Sequence, residues 1–353
     1  MRYEPPINHA HLIETVHDVY GLPVQELVFV PVGVPSVCYA VHCGGEERYF
    51  LKLWPDTRAG RANAARRTIS LPLTRALYER GLYPRVPYPI STRNGALWAT
   101  FSGNPFAVFP FLSGHPPPAR WSPALWDEFA RTIAAIHRAT PALADVLPPH
   151  EAFDIPFEHD LRHSLEAIEQ IGPRERPGLR ALRDMVLPRR AEILAQLARL
   201  HLLQHAVRQL SGPFVLCHTD MGGDNLLVDD RGQLIVLDWD DAIVAPPEHD
   251  LQSALSEGFG CFLEVYEEAG GQRLLHVDHF AFYLLRRYMH DMAVRLLPIL
   301  EEHTSEEQDE DALEGMEAYG FAQWSALDET LDGIAVALRH LHPRSLQASR
   351  RVL

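Results

Sequence analysis

Residues 214–228 read Phe214-Val215-Leu216-Cys217-His218-Thr219-Asp220-Met221-Gly222-Gly223-Asp224-Asn225-Leu226-Leu227-Val228, and Leu234-Ile235-Val236-Leu237-Asp238-Trp239-Asp240-Asp241 follows shortly after. Short apolar runs bounded by Gly and Asp have the composition of buried strands. The first run delivers His218 and Asp220 into a loop that Gly222 and Gly223 let turn tightly, and Asn225 stands at the head of the next strand. Asp220, Asn225 and Asp238 thus emerge at neighbouring strand ends, where side chains can converge. A carboxylate just past a buried strand is costly unless paired or metal-bound, which makes Asp220 and Asp238 candidate functional groups. Oxygen donors without thiolates suit a hard cation such as Mg²⁺. Asp224, Asp229 and Asp230 read as turn residues. His218, flanked by apolar positions, reads as a hydrogen-bonded core histidine that braces the loop.

Outward from this island (Phe214 to Asp250), the chain is helical on both sides. Helices are expected near His159 to Ile171, Leu179 to Leu210, Gln252 to Glu268, Val277 to Leu300 and Phe321 to Leu341. One more runs from Ser122 and Pro123 to about Ala139, with Leu125, Trp126, Phe129, Ile133 and Ile136 at helical spacing as core. The acidic run Glu301 to Glu317 reads as a solvated loop and helix face. Before residue 113 the period changes. A helix capped by Asn8 runs to Tyr20, closed by Gly21. β-rich segments follow at Leu27–Val32, Val37–Cys43 and Arg48–Leu53, with turns at 33–36 and 44–47. Next come a helix near Leu71 to Arg80 and strands near Ala96–Phe101 and Ala107–Leu112. The Gly114-His115-Pro116-Pro117-Pro118 stretch marks a hinge.

Of 32 basic residues only Lys52 is a lysine. It follows an aromatic strand, Tyr49-Phe50-Leu51, where a compact ammonium needs a partner such as a phosphate. A net charge of −15 argues against nucleic acid and anionic membrane surfaces as partners, and suits a cationic ligand better. The four cysteines read as reduced, buried thiols. No membrane span or signal core is evident, and the cytoplasm is the expected location.

The pattern His218-x-Asp220-x-x-x-x-Asn225 followed by Leu237-Asp238-Trp239-Asp240 resembles the catalytic loop and metal segment of aminoglycoside phosphotransferases, relatives of choline kinases and protein kinases. More narrowly, Phe29 to Gly33, Tyr49 to Leu53, Phe214 to Asp220 and Ala245 to Leu251 are similar to the spectinomycin phosphotransferase branch. The resemblance implies an α+β, bilobal kinase-like fold. An antiparallel-sheet nucleotide lobe would span 1–110 and a mainly helical catalytic and substrate lobe 111–353, hinged near 108–114. It implies transfer of the γ-phosphate of ATP, or GTP, to a hydroxyl of a small molecule, with Mg²⁺. Asp220 would accept or orient the hydroxyl proton, and Asn225 and Asp238 would bind the metal. Lys52 would hold the nucleotide phosphates, with Ser36 in the turn above them. The backbone of Phe109, Pro110 and Phe111 would meet the adenine edge. Asp250 would brace the fold.

Candidate acceptor contacts are Asp240, Asp241, Glu248, Arg287 and Asp291; an Arg287–Asp291 helix pair is the alternative for the last two. The favoured acceptor is an aminoglycoside or aminocyclitol antibiotic, giving resistance. A metabolite kinase of the choline, homoserine or methylthioribose type is the alternative, and a non-catalytic nucleotide-binding module or a metal-dependent hydrolase are further ones. Three departures stand out. Between Trp54 and Tyr78 the only acid is Asp56, and Glu79 falls late, so the helix Glu that usually pairs with the strand lysine is missing. Either Asp56 or Glu79 reaches Lys52, or the phosphate holds it alone. The turn at 33–36 has one glycine, and Gly222 replaces a second His.

Overall fold

The computed structural model of the protein describes residues 4–32, 36–45, 47–256 and 258–341. It resolves into two compact units, Met1–His150 with Phe214–Ala245 and Val265–Gly271, and Glu151–Pro213 with Pro246–Glu264 and Gln272–Leu353.

In the first unit α1 (His9–Tyr20) begins where the Asn8 side chain accepts from His11 N–H, and it ends at left-handed Gly21. A five-stranded antiparallel sheet follows. Its strands are β1 (Val24–Val30), β2 (Val37–Cys43), β3 (Arg48–Leu53), β4 (Ala99–Phe101) and β5 (Asn104–Pro110), in the order β1-β2-β3-β5-β4. Strand alternation sorts the two faces. Leu51, Leu53, Phe106 and Val108 pack with Leu12, Val16 and Tyr20 of α1, whereas Ala107 and Phe109 pack with Trp54, Ala64 and Leu71. The latter two belong to α2 (Arg58–Glu79), which starts thirteen residues before the expected Leu71. Its first half, rich in Ala and Arg, carries no apolar periodicity to announce it. Pro72 therefore lies inside the helix.

α3 (Pro123–Ala139) is capped by Ser122 as expected. The island forms two short antiparallel pairs, β6 (Val215–Cys217) with β9 (Ile243–Ala245) and, as a hairpin between them in sequence, β7 (Leu226–Val228) with β8 (Leu234–Val236).

The second unit is helical among its described residues. Its helices are α4 (Glu158–Glu169), α5 (Pro177–Val186), α6 (Arg190–Val207), α7 (Glu248–Leu251), α8 (Phe259–Glu268), α9 (Val277–Ala293), α10 (Glu306–Met316), α11 (Ala322–Ser325) and α12 (Leu327–Leu341). The last turn of α8 is counted with the first unit. α9 is buried almost all round, from His279 through Leu285 and again at Met289, Met292 and Ala293, as suits the central helix of a bundle. The helix expected over Leu179 to Leu210 is two, α5 and α6, joined by a 3₁₀ turn at Leu187–Arg189 that contains Pro188. The one expected to reach Leu300 stops at Ala293, ahead of Pro298. The acidic run holds α10, opened by a capping box between Ser305 and Gln308. It is not wholly solvated: Asp309 is 1% exposed and engages Arg176 and His303. Cys261 is exposed, while Cys38, Cys43 and Cys217 are buried.

Candidate active site

The first unit gathers the candidate groups around Lys52. In β3 its register partners are Cys38 and Ala107, so it lies on the face opposite α1. Its side chain is 14% exposed, and Nζ donates to Asp238 Oδ1 at 2.9 Å and Asp240 Oδ2 at 2.8 Å. Burial alone would lower the pKa of this ammonium, but Asp240 and Asp238 outweigh it and raise the group above the ordinary lysine value. Burial likewise pushes the Asp238 carboxyl up, and the Lys52 charge and hydrogen bond bring it below the usual aspartate value.

Neither acid weighed as a lysine partner reaches it. Asp56 pairs with Arg61 at 2.6 Å and Glu79 with Arg75 at 2.5 Å, one turn along α2. The partners come instead from the turn after β8.

Beyond β6, His218 is fully buried. Its Nδ1 lies 3.3 Å from the Asp220 N–H, which leaves Nε2–H to donate to Leu237 O at 2.6 Å. The histidine thus ties the loop to the chain leading into Asp238, and Trp239 lies edge-on to its ring at 5.0 Å. Asn225 Nδ2 donates to Asp220 O at 3.0 Å and to Asp220 Oδ2 at 2.9 Å. The next strands are tied where Leu237 N–H donates to Asn225 O at 2.8 Å. Two residues here hold positive φ without being glycine, Thr219 at 78° and Asp238 at 51°. Strain of this kind persists only where surroundings impose it, and it concentrates at functional segments.

The other expected residues divide. Phe109 is buried, and Phe111 lies beside Arg48, whose guanidinium sits 4.5 Å from its ring centroid. Pro110 closes β5 opposite Tyr49. Ser36 is 1% exposed, and its Oγ has no hydrogen-bond partner among the described residues. The remainder of its turn, Gly33-Val34-Pro35, lies outside those residues. Asp240, expected at an acceptor, has one oxygen on Lys52 and the other accepting from Ser70 Oγ at 2.8 Å. Asp241 pairs with Arg66. Burial raises the Asp241 carboxyl, Arg66 opposes this, and the nearby acids Asp238, Asp240 and Asp220 raise it further.

In the second unit, Glu248 is 1% exposed and accepts from His276 N–H at 2.6 Å. Asp250 is fully buried. Arg287 donates to Asp291 at 2.9 Å on one helix face, the pairing weighed for these two residues. Ser70 and Arg66 were missed by the sequence reading. Once α2 is known to begin at Arg58, their i, i+4 spacing puts them on one face.

The model of the phosphotransferase enzyme family designated APH matches residues 31–285, a span holding Lys52, Asp220, Asn225 and Asp238. The chain belongs to this family. The enzyme class expected from the sequence, a phosphotransferase, is therefore the right one. A search of curated proteins finds no match. Among solved structures, the phosphotransferase is similar to spectinomycin phosphotransferase in complex with ADP and spectinomycin, with TM-score 0.72 and 17% identity over 94% of this chain and 99% of that one. It is also similar to an aminoglycoside phosphotransferase from Alicyclobacillus acidocaldarius, with TM-score 0.53 and 18% identity over 96% and 97% of the two chains. An amicoumacin kinase in complex with AMP-PNP, Ca²⁺ and Ami gives TM-score 0.58 and 15% identity over 89% and 93%. These likenesses bear out the kinase-like α+β fold. Among the described residues no helix is long and apolar enough to cross a membrane.

Proposed function

We propose that this phosphotransferase carries the γ-phosphate of ATP to a hydroxyl group of an aminoglycoside or aminocyclitol antibiotic in the cytoplasm, conferring resistance. The observation that carries the reading is the bond from Lys52 to Asp238, across 186 positions of sequence, beside the interlocked Asp220 and Asn225. A buried cation, a turn acid and a loop carboxylate at adjacent strand ends answer the main demand of phosphoryl transfer, which is positioning and charge neutralisation.

Lys52 binds the nucleotide phosphates in this reading. The donor set fits Mg²⁺: Asp238 is 42% exposed, and with the Asn225 Nδ2 turned towards Asp220 its amide oxygen is left for a cation. Bound there, Mg²⁺ would neutralise phosphate charge. Asp220 takes the proton of the acceptor hydroxyl as the hydroxyl oxygen bonds to the γ-phosphorus, and the bond from that phosphorus to the oxygen bridging it to the β-phosphate breaks to release ADP. Residues 1–110 and 111–353 serve as the two lobes, hinged at 108–114 with the backbone of Phe109 to Phe111 at the base; Ser36 lies at the phosphate turn. GTP is the alternative nucleotide.

Two facts support a cationic antibiotic: the net charge of −15, and the spectinomycin bound in a similar fold. One observation favours a second reading, a metabolite kinase of the same family. Asp240, Asp241 and Asp291, expected to meet a polycation, are each occupied by a cation of the protein itself.

The test is an ATP-consumption assay over aminocyclitols, aminoglycosides, choline, homoserine and methylthioribose, run beside Asp220→Asn. Turnover with one antibiotic and a fall in kcat of roughly a thousandfold in the variant, with nucleotide affinity kept, is expected. A variant that turns over like the wild type overturns the assignment of Asp220. Turnover confined to a metabolite moves the enzyme to the second reading.

A further inference from the structure

We propose that Asp240 is the positioning residue for Lys52, standing in for the helix acid that this enzyme class ordinarily supplies, and that Ser70 is the contribution α2 makes to it. The inference rests on the reading of Lys52 as the phosphate-binding cation.

An ammonium only 14% exposed must have a carboxylate that stays with it. α2 cannot provide one: its single acid, Glu79, sits in its last turn and is held by Arg75. Two acids of the turn after β8 take over, but they are not equivalent. Asp238 is 42% exposed, in a left-handed backbone conformation, and is the group assigned to the metal. Asp240 is 10% exposed, with Oδ2 on Lys52 and Oδ1 on Ser70.

Trp239 fixes the spacing between the two acids. Its indole is buried and its Nε1 donates to Val236 O at 2.9 Å. Ser70 is itself 4% exposed. One turn earlier on α2, Arg66 pairs with Asp241, so the helix grips the same turn twice. When Asp238 serves the metal, Asp240 remains to hold Lys52 in line. The helix therefore acts on the lysine at one remove, by a hydroxyl through a carboxylate.

Because Lys52 is the only lysine, its acylation by an amine-reactive ester, followed by peptide mass spectrometry, reads this one side chain. The measurement is made on nucleotide-free enzyme in saturating magnesium chloride, on variants whose melting shows them folded. Amine reactivity follows release from the carboxylate, so Asp240→Asn should speed labelling about tenfold and Ser70→Ala about threefold. The double variant Ser70→Glu with Asp240→Ala, which returns a carboxylate to the helix, should label within about threefold of wild type. In turnover, Asp240→Asn should raise the nucleotide KM about tenfold, with the magnesium concentration for half-maximal rate unchanged.

Wild-type labelling rates in both Asp240→Asn and Ser70→Ala overturn the proposal. So does a labelling rate unmoved by Asp240→Asn alongside a tenfold higher magnesium requirement, which makes Asp240 a metal ligand. If Asp240→Asn does not fold, Ser70→Ala decides by the same readout. Labelling needs no turnover, so a chain that phosphorylates nothing would still report whether Asp240 holds Lys52; loss of the phosphotransferase reading is thus separable from loss of this one.

Discussion

At the scale of single residues, Lys52 carries a chemistry that none of the 31 arginines duplicates. Its ammonium reaches two carboxylates at 2.8 and 2.9 Å from a strand position, and a guanidinium is longer, planar and forked. Lys52→Arg keeps the charge but should reduce kcat/KM by roughly a hundredfold, seen in initial rates against ATP concentration; a loss under about threefold would make the lysine incidental. Lys52, Asp220, Asn225 and Asp238 could be singled out as candidates because each adjoins or lies within an apolar run, a pattern that local sequence records. Asp240 was visible as an acid yet not as the partner of Lys52, since that depends on which turn folds against which strand. Ser70 carried no local signal at all. A serine inside a helix reads as neutral until the acid facing it is known.

Among elements, α2 is where sequence and structure differ most. Its early start depends on Thr57, whose side chain accepts from Gly60 N–H at 3.0 Å, and on Gly60, where an added Cβ would meet Pro55 O at 2.1 Å. No run of hydrophobic residues marks this half, so periodicity could not find it; the cap alone was there to be read. Thr57→Ala should cost about 1 kcal/mol in urea unfolding. Gly60→Ala should cost more, because backbone must move; equal losses would mean that the first turn is loose. By contrast β2 and β3 were expected with the bounds they have, since their β-rich composition and flanking turns are strong signals, and α1 was expected to within its cap. The longer helices were cut where proline withholds a donor, at Pro188 and before Pro298.

For the molecule as a whole, acid stability should report the helical unit. His249 is partly buried beside Arg286, whose Nη2 lies 3.1 Å from its Nε2 and bonds to Glu151 at 2.8 Å. Burial, then the Arg286 charge, lower the His249 pKa to about 4, against the attraction of Asp250 and Glu151. The folded chain keeps this imidazole neutral while the unfolded chain protonates it near pH 6.5. Its contribution is therefore intact above pH 6.5 and is lost as pH falls towards about 4. The loss should be about 2 kcal/mol, discounted for partial exposure, in melts between those limits. His249→Asn should flatten the slope in that window; an unchanged slope would assign the acid sensitivity elsewhere. The fold class was legible at this scale because a β-rich third precedes a helical remainder, a contrast that survives errors in individual boundaries.

The turn that holds Lys52 has one last consequence, for control. Kinases whose lysine partner rides on a mobile helix can be switched by swinging that helix away. Here both partner acids flank Trp239 on one short turn, so rotating α2 would release Ser70 yet leave the ion pair closed. Swinging the helix would thus break a hydroxyl contact and not the ion pair, which closes this particular route of switching to the enzyme.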